Sequence, residues 1–514
     1  MVRQVIFDNE IALYWEKQWK YPDGIKYCVF VNGEKKSVTK KTHFELKDLM
    51  AEAEYAVKLV RLDEENKIIE TLFDEKICTK KSKKRIDITK EPYCAVGDGK
   101  TLNTACLQKA LNDCGADECV YFPKGTYLTG ALDVGTETEI YLDIDAVLLG
   151  SKDVKDYEPK TWVRFEGMEM LCYRSLLNIG EMDQKAVYNR KNIVVRGGGK
   201  IVGGGVDLCW STIFANKDTF EEEFLRRMKN TNSLLSAEDI NIVVPLSRSR
   251  PRLIFLTNTE NVVIANVGFE HSPCWNLHLL YSKNIITYNC NFHSDGVWNG
   301  DGWDPESSEN CTIFGCRFQT SDDAIAIKSG KNLEGYKIGR PTRNICIFDC
   351  SGIDGISIGS ELSGGVENVR VWDCSFGNGE RGFRIKTNEK RGGYVSNIKV
   401  RNCVFSRILI TKGYGCNNDG ESTGVLTKVE NVHFENVASY GRLVCLDRQK
   451  KGYRVAETNC LCVEGFEEEN AFFKNITFKN VRIRQLQDQS IEPVRIKNVK
   501  GITIKNLEVF LGEA

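Results

Sequence analysis

One motif recurs along most of this chain and restricts what it can fold into. It is an asparagine, then alternating apolar residues, then often Cys or Val, one residue, and Phe. It reads as Asn284 with Cys290-Asn291-Phe292, Asn310 with Cys316-Arg317-Phe318, and Asn344 with Cys350. Asn368 with Cys374-Ser375-Phe376 and Asn397 with Cys403-Val404-Phe405 continue it, and weaker copies begin at Asn431, Asn475 and Asn498. From Asn284 to Asn397 the steps are 26, 34, 24 and 29 residues. A fixed strand pattern with variable spacers predicts a parallel β-helix, in which loops grow out between coils that keep their register. A leucine-rich horseshoe would place Leu at these positions, and a propeller would keep steadier blades. Cys290, Cys316, Cys350, Cys374 and Cys403 share one repeat position. They read as an interior ladder of small apolar side chains, and no CxxC pair supports a zinc centre.

The segment before the repeats has a different period. Ile11, Leu13 and Trp15 alternate, as do Tyr27, Val29 and Val31, and Asn32-Gly33 is a hairpin turn signal. Leu49 followed by Tyr55, Val57 and Leu59 suggests a strand entered through a tyrosine corner. Residues 1–87 are therefore expected to form a small β-sandwich resembling a fibronectin type III module. The run Lys80-Lys81-Ser82-Lys83-Lys84-Arg85 reads as a solvated linker rather than a polyanion contact. Residues 88–514 are expected to be the β-helix. Asn103 is placed to cap a helix with apolar residues Cys106, Leu107, Ala110, Leu111 and Cys114, which would cover the first coil.

Composition narrows the function. A net charge of −1 over 514 residues argues against a nucleic-acid partner. No 18-residue apolar stretch predicts a membrane-crossing helix. The first residues lack a secretory apolar region, and the 20 cysteines are spread thinly. Reduced thiols and a cytoplasmic location are expected, or a secreted protein if a leader has been removed.

Four segments break the apolar pattern with charge: Asn299–Pro305, Ser321–Ala326, Ser351–Ser360 and Arg384–Thr387. Asp301 lies 21 residues before Asp322, roughly a coil, and equivalent positions on adjacent coils stack about 4.8 Å apart. The four segments can line one face, with Asp322 and Arg384 on the order of 10 Å apart. Arg384 and Lys386, two apart on a strand, point the same way. Two cations beside carboxylates suit an anionic sugar. Clustered carboxylates suit glycoside hydrolysis, because like charges keep one group protonated as the acid while another activates water. Each charge taken singly fits a surface salt-bridge network.

Together the segments resemble glycoside hydrolase family 28, the polygalacturonases and related pectin hydrolases. The family's N-x-D-G matches Asn299–Gly302, its D-D matches Asp322-Asp323, its G-S matches Gly359-Ser360, and its R-I-K matches Arg384–Lys386. Arg250–Leu253 and Ser272–His278 resemble family segments upstream. The resemblance, from about residue 93 onward, implies a right-handed β-helix and an inverting hydrolase of α-linked galacturonate. It implies Asp322 as general acid, Asp301 and Asp323 as the groups that position and deprotonate water, and Arg384 and Lys386 as holders of the galacturonate carboxylate. Asn299, Asp354 and His278 are further candidates for substrate contact. The family's G-H-G is Gly352-Ile353-Asp354-Gly355 here, with no histidine; Asp354 stands at or beside that place. No cofactor and no metal are expected, and the expected partner is a pectic oligosaccharide. Exo action on short oligomers is expected, with the segment Trp210–Ser249, including a helical stretch Thr219–Asn230, walling one end of a cleft. Rival readings are a rhamnogalacturonan or other substituted-pectin hydrolase, a pectate lyase, and a non-catalytic carbohydrate-binding β-helix.

Overall fold

In a computed structural model, residues 2–185, 187–216, 246–294, 296–416, 418–447 and 452–511 are described. The expected helix over Thr219–Asn230 lies outside the described residues. The chain divides into two compact units, Met1–Arg85 and Ile86–Ala514.

In the first unit, Ile11–Trp15 pairs antiparallel with Val2–Ile6 and with His43–Leu46. A second sheet runs in the order Glu34–Thr39, Lys26–Val31, Glu54–Leu62, Ile68–Cys78. Ile11, Leu13, Trp15, Tyr27, Val29, Val57 and Leu59 are buried between them. Both alternating runs face one apolar core, as a half-buried strand requires. Asn32 and Gly33 turn between strands with φ of 51° and 80°, the doubly positive geometry that Asn-Gly supplies. The Tyr55 hydroxyl accepts the backbone N–H of Met50 at 3.0 Å.

The second unit is a right-handed parallel β-helix. Its most regular face is an 11-stranded parallel sheet that includes Leu277–Leu280, Trp303–Glu306, Ile325–Ile327, Ile356–Gly359, Phe383–Lys386 and Ile408–Thr411 in adjacent positions. The recurring asparagines have a physical reason. Asn284, Asn310, Asn344, Asn368 and Asn397 all adopt φ between 56° and 59°, a left-handed bend that Asn tolerates better than bulkier residues. Each donates through Nδ2 to Oδ1 of the asparagine one coil earlier, at 3.0–3.4 Å. The bend leaves a side-chain amide at the same height on every coil, and the stack satisfies it. Inside, the five ladder cysteines are buried, and the 19 cysteines whose side chains are described are free. Phe292 stacks on Phe318 at 4.8 Å and Phe314 on Phe348 at 4.9 Å.

The helix Thr104–Asp113 buries Leu107, Ala110 and Leu111. Asn103 precedes it without capping it by a side-chain bond. Its amide instead bridges Val96 N–H at 2.8 Å and the carbonyls of Val96 and Thr101. A loop that must itself be satisfied has claimed the cap.

Candidate active site

The outward row of the parallel sheet carries the charge. Successive strands align His278 with Asp304, Ser357 with Arg384, and Gly359 with Lys386. Just before these strands, close backbone approach packs the turns together. Gly300 and Gly302 flank Asp301, and a Cβ on either would run into Ser321 or Ala324 on the next coil. Asp301 is thereby brought down onto the Asp322-Asp323 turn.

Asp323 is buried and almost fully engaged. Its Oδ1 takes Arg384 Nη2 at 2.6 Å and Ser357 Oγ at 2.7 Å, and its Oδ2 takes Lys386 Nζ at 2.8 Å. Burial alone would raise its pKa. The charges of Lys386, Arg384 and Arg381 outweigh burial and hold the carboxyl well below the usual range. Asp322 faces outward, its side chain 25% exposed, with Arg381 Nε 3.0 Å from Oδ1.

Asp301 differs from both. Its Oδ2 accepts Lys328 Nζ at 3.1 Å, and its Oδ1 has no hydrogen-bond partner among the described residues. Burial first, then Asp304, Asp322 and Asp323, push its pKa well above the usual range, with Lys328 opposing. Lys328 also reaches Asp304 Oδ2 at 2.8 Å; burial lifts Asp304 to about 7. Lys328 is itself buried with its Nζ 3.6 Å from the ring centroid of Trp275.

Asn299 turns the preceding loop at φ 56°, and its Oδ1 accepts Arg250 Nη2 at 2.8 Å. Arg250 is buried and also donates to the carbonyls of Pro273 and Trp298. Asp354 sits one coil past Asp322, paired through Oδ1 with Arg381 Nη1 at 3.1 Å. Burial raises it to about 6, with Arg381 opposing.

The geometry corrects the place given to His278. It is fully buried, its Nε2 3.0 Å from Glu306 Oε2, and it packs on Trp275 at 4.8 Å. Glu306 is held further by Arg164 at 3.4 Å and by Gly330 N–H at 3.1 Å. A side chain so enclosed does not touch a sugar in the cleft. The outward parity of its strand puts it on the right face, but the hairpin Thr161–Phe165/Met168–Cys172 covers that part of the face with Phe165 and Arg164. Arg384 reaches Asp323, the neighbour of Asp322, directly.

Lys328, Asp304, Arg381, Ser357 and Tyr414 were not among the residues singled out from the sequence. For Lys328 a signal existed: it continues the outward parity of Ala326 along an apolar strand. Tyr414, whose ring centroid lies 5.1 Å from Lys386 Nζ, comes from a distant loop and had none.

Residues 239–447 match the family model for glycosyl hydrolases family 28. The chain is 30% identical over 349 residues to a probable polygalacturonase of Vitis vinifera, covering 64% of this chain and 63% of that one. It is 28% identical over 357 residues to an exo-poly-alpha-D-galacturonosidase of Dickeya chrysanthemi, covering 65% and 58%. The chain thus spans less than two thirds of the length of these curated relatives. Among solved structures it resembles the exopolygalacturonase of Thermotoga maritima (TM-score 0.66, 25% identity, 83% of this chain and 91% of that one). It also resembles the family 28 exopolygalacturonase of Yersinia enterocolitica (TM-score 0.77, 17% identity, 100% and 99%), a likeness of fold. With the motif segments stacked on adjacent coils of a right-handed parallel β-helix, the chain is similar to glycoside hydrolase family 28 in its motifs and in its fold.

Proposed function

We propose that this cleft hydrolyses α-linked galacturonate in pectic chains, with inversion at the anomeric carbon. The observation that carries the proposal is the division of labour among three neighbouring aspartates. Asp322 is the most exposed of them and is placed to donate a proton to the glycosidic oxygen. Asp301 keeps one buried carboxylate oxygen free to take a hydrogen bond from the attacking water. Asp323 spends its oxygens on Arg384, Lys386 and Ser357, and so holds the two cations that would grip the substrate carboxylate. The net effect is one carboxyl for the leaving group, one for the nucleophile and one that organises recognition. Asp354 and Asn299 stand beside these groups, held by Arg381 and Arg250.

Exo action on short oligomers is the finer part of the proposal. The similar proteins of Dickeya and Thermotoga are an exo-poly-alpha-D-galacturonosidase and an exopolygalacturonase. The hairpin over 161–172 supports the same reading here. Its turn packs Gly167 O against Lys331 N–H at 2.9 Å, Glu166 pairs with Arg248 at 3.0 Å, and Asp419 ties Arg248 and Lys331 together at 3.0 and 2.9 Å. A wall tied by ion pairs on one side of the strand ends leaves room for a chain terminus rather than for a passing polymer. For the N-terminal unit we retain the fibronectin type III-like reading, which its three-plus-four strand order and the Tyr55 bond support.

Product analysis on defined pectic oligosaccharides tests the reading. Saturated galacturonate released from one end, with the inverted anomer seen first by proton NMR, is expected. Rising ultraviolet absorbance from an unsaturated uronide would replace hydrolysis by a lyase reaction, and random internal cuts of long polygalacturonate would remove the exo assignment.

A further inference from the structure

Arg381 has no part in the mechanism above, yet it touches more of the carboxylates than any other cation. Its Nε lies 3.0 Å from Asp322 Oδ1 and 3.6 Å from Asp323 Oδ1, and its Nη1 lies 3.1 Å from Asp354 Oδ1. Its side chain is 17% exposed. Asp354 also accepts the backbone N–H of Glu380 at 3.2 Å, so it fixes the turn as well as the guanidinium. The approach depends on small residues: a Cβ on Gly355 would run into the backbone of Gly382. Arg384 and Lys386 are committed to Asp323, which leaves Arg381 as the only cation ion-paired with Asp322 among the described residues.

We propose that Arg381 is a positioning residue for Asp322, anchored from behind by Asp354. The proposal rests on the reading of Asp322 as the proton donor. A carboxyl on an exposed turn has rotamer freedom, and a planar guanidinium held by a second carboxylate removes it. The guanidinium stays charged at any working pH, so the tether does not lapse as pH changes. Ionised Asp354 shares Arg381 with Asp322; protonated Asp354 leaves Arg381 to Asp322. The other charged or titratable groups facing this cluster are Asp301, Asp323, Glu380, Arg384, Lys386 and Tyr414. None of them bridges Asp322 to a second anchor as Arg381 does.

The test uses the full chain and short oligogalacturonates, with kcat and KM measured across pH for wild type, Arg381→Lys, Arg381→Gln and the double variant Arg381→Gln/Asp354→Asn. The double variant removes the cation with its anchor and so avoids a buried unpaired charge; it reads the same quantity should Arg381→Gln fail to fold. Expected for both Gln variants is a fall in kcat of about 10²-fold with KM little changed. Arg381→Lys should keep more of kcat than either Gln variant, because it keeps a cation beside both carboxylates. An unchanged kcat in both Gln variants would overturn the proposal, as would a raised KM with kcat intact, which would make Arg381 a substrate contact. A wild-type chain that does not hydrolyse the oligomers would instead overturn the reading of the site itself.

Discussion

Two charged clusters lie along one face of the solenoid, and they are built from the same residue types. In the first, Asp322, Asp323 and Asp354 meet Arg381, Arg384 and Lys386, and Asp322 and Arg381 keep 25% and 17% of their side chains exposed. In the second, Glu306 meets His278 and Arg164, and all three side chains are at 0%. Stacking, parity and charge are alike, so none of these separates function from structure. What separates them is access. The hairpin over 161–172 seals one cluster, where each charge is paid for by a partner, and leaves the other open beside a carboxylate with an unused oxygen. A buried pair of the sealed kind contributes little net stability, but breaking it is costly.

The contrast can be broken from either side. Asp322→Asn should cost about 10²–10⁴-fold in turnover or more, with the melting temperature unmoved. His278→Ala should do the reverse, losing about 2–5 kcal/mol of stability to a cavity and an orphaned partner. Rates and thermal melts on the same preparations decide it. A tenth or more of wild-type activity in Asp322→Asn would mean that the acid is misassigned, and a catalytically dead but stable His278→Ala would return that residue to the site.

Arg384→Ala sharpens the open side. With its partner Asp323 buried, the loss of recognition is expected at about 2–5 kcal/mol, read as kcat/KM on digalacturonate, long polygalacturonate and rhamnogalacturonan oligomers. An equal effect on all three would show that this arginine does not read the galacturonate carboxylate.

The sealed side has a pH signature. Burial holds His278 down to about 4, from an ordinary 6.5, so the unfolded chain takes up the proton first. The contribution of the neutral ring is complete above about 6.5 and is lost as pH falls from there to about 4. Burial lifts Asp304 to about 7 and Asp354 to about 6, which works in the opposite direction as pH falls. The difference between wild type and His278→Ala isolates the histidine. Its gap in melting temperature should narrow between about pH 6.5 and 4; a gap constant with pH would contradict the enclosed, neutral ring.

The smallest expected effect is chemical. The interior cysteines should titrate as free thiols under denaturing, non-reducing conditions, and Cys350→Ala should cost no more than an ordinary core truncation of about 1–2 kcal/mol. Several native disulfides would point to an exported protein and against the cytoplasmic expectation.

Period-two patterning and the recurring asparagine were enough to give the parallel β-helix, because both follow from local backbone geometry: alternation sets the buried face, and a left-handed bend selects Asn at each coil. The aspartates at 301, 322 and 323 and the pair Arg384 and Lys386 were legible for the same reason, as polar interruptions of a regular apolar stack. The enclosure of His278 was not legible, since its strand parity is the same as that of Arg384 and the hairpin packed on its neighbours Trp275 and Glu306 is an insertion more than a hundred residues earlier. Nor was Arg381, which sits in a turn where parity has no meaning. The N-cap expected of Asn103 failed for a local reason, because the loop just before it takes its amide. Local periodicity determines which residues face outward; which of those remain in contact with solvent, and which partner each charge takes, is decided by segments that the sequence holds far apart and the solenoid brings together.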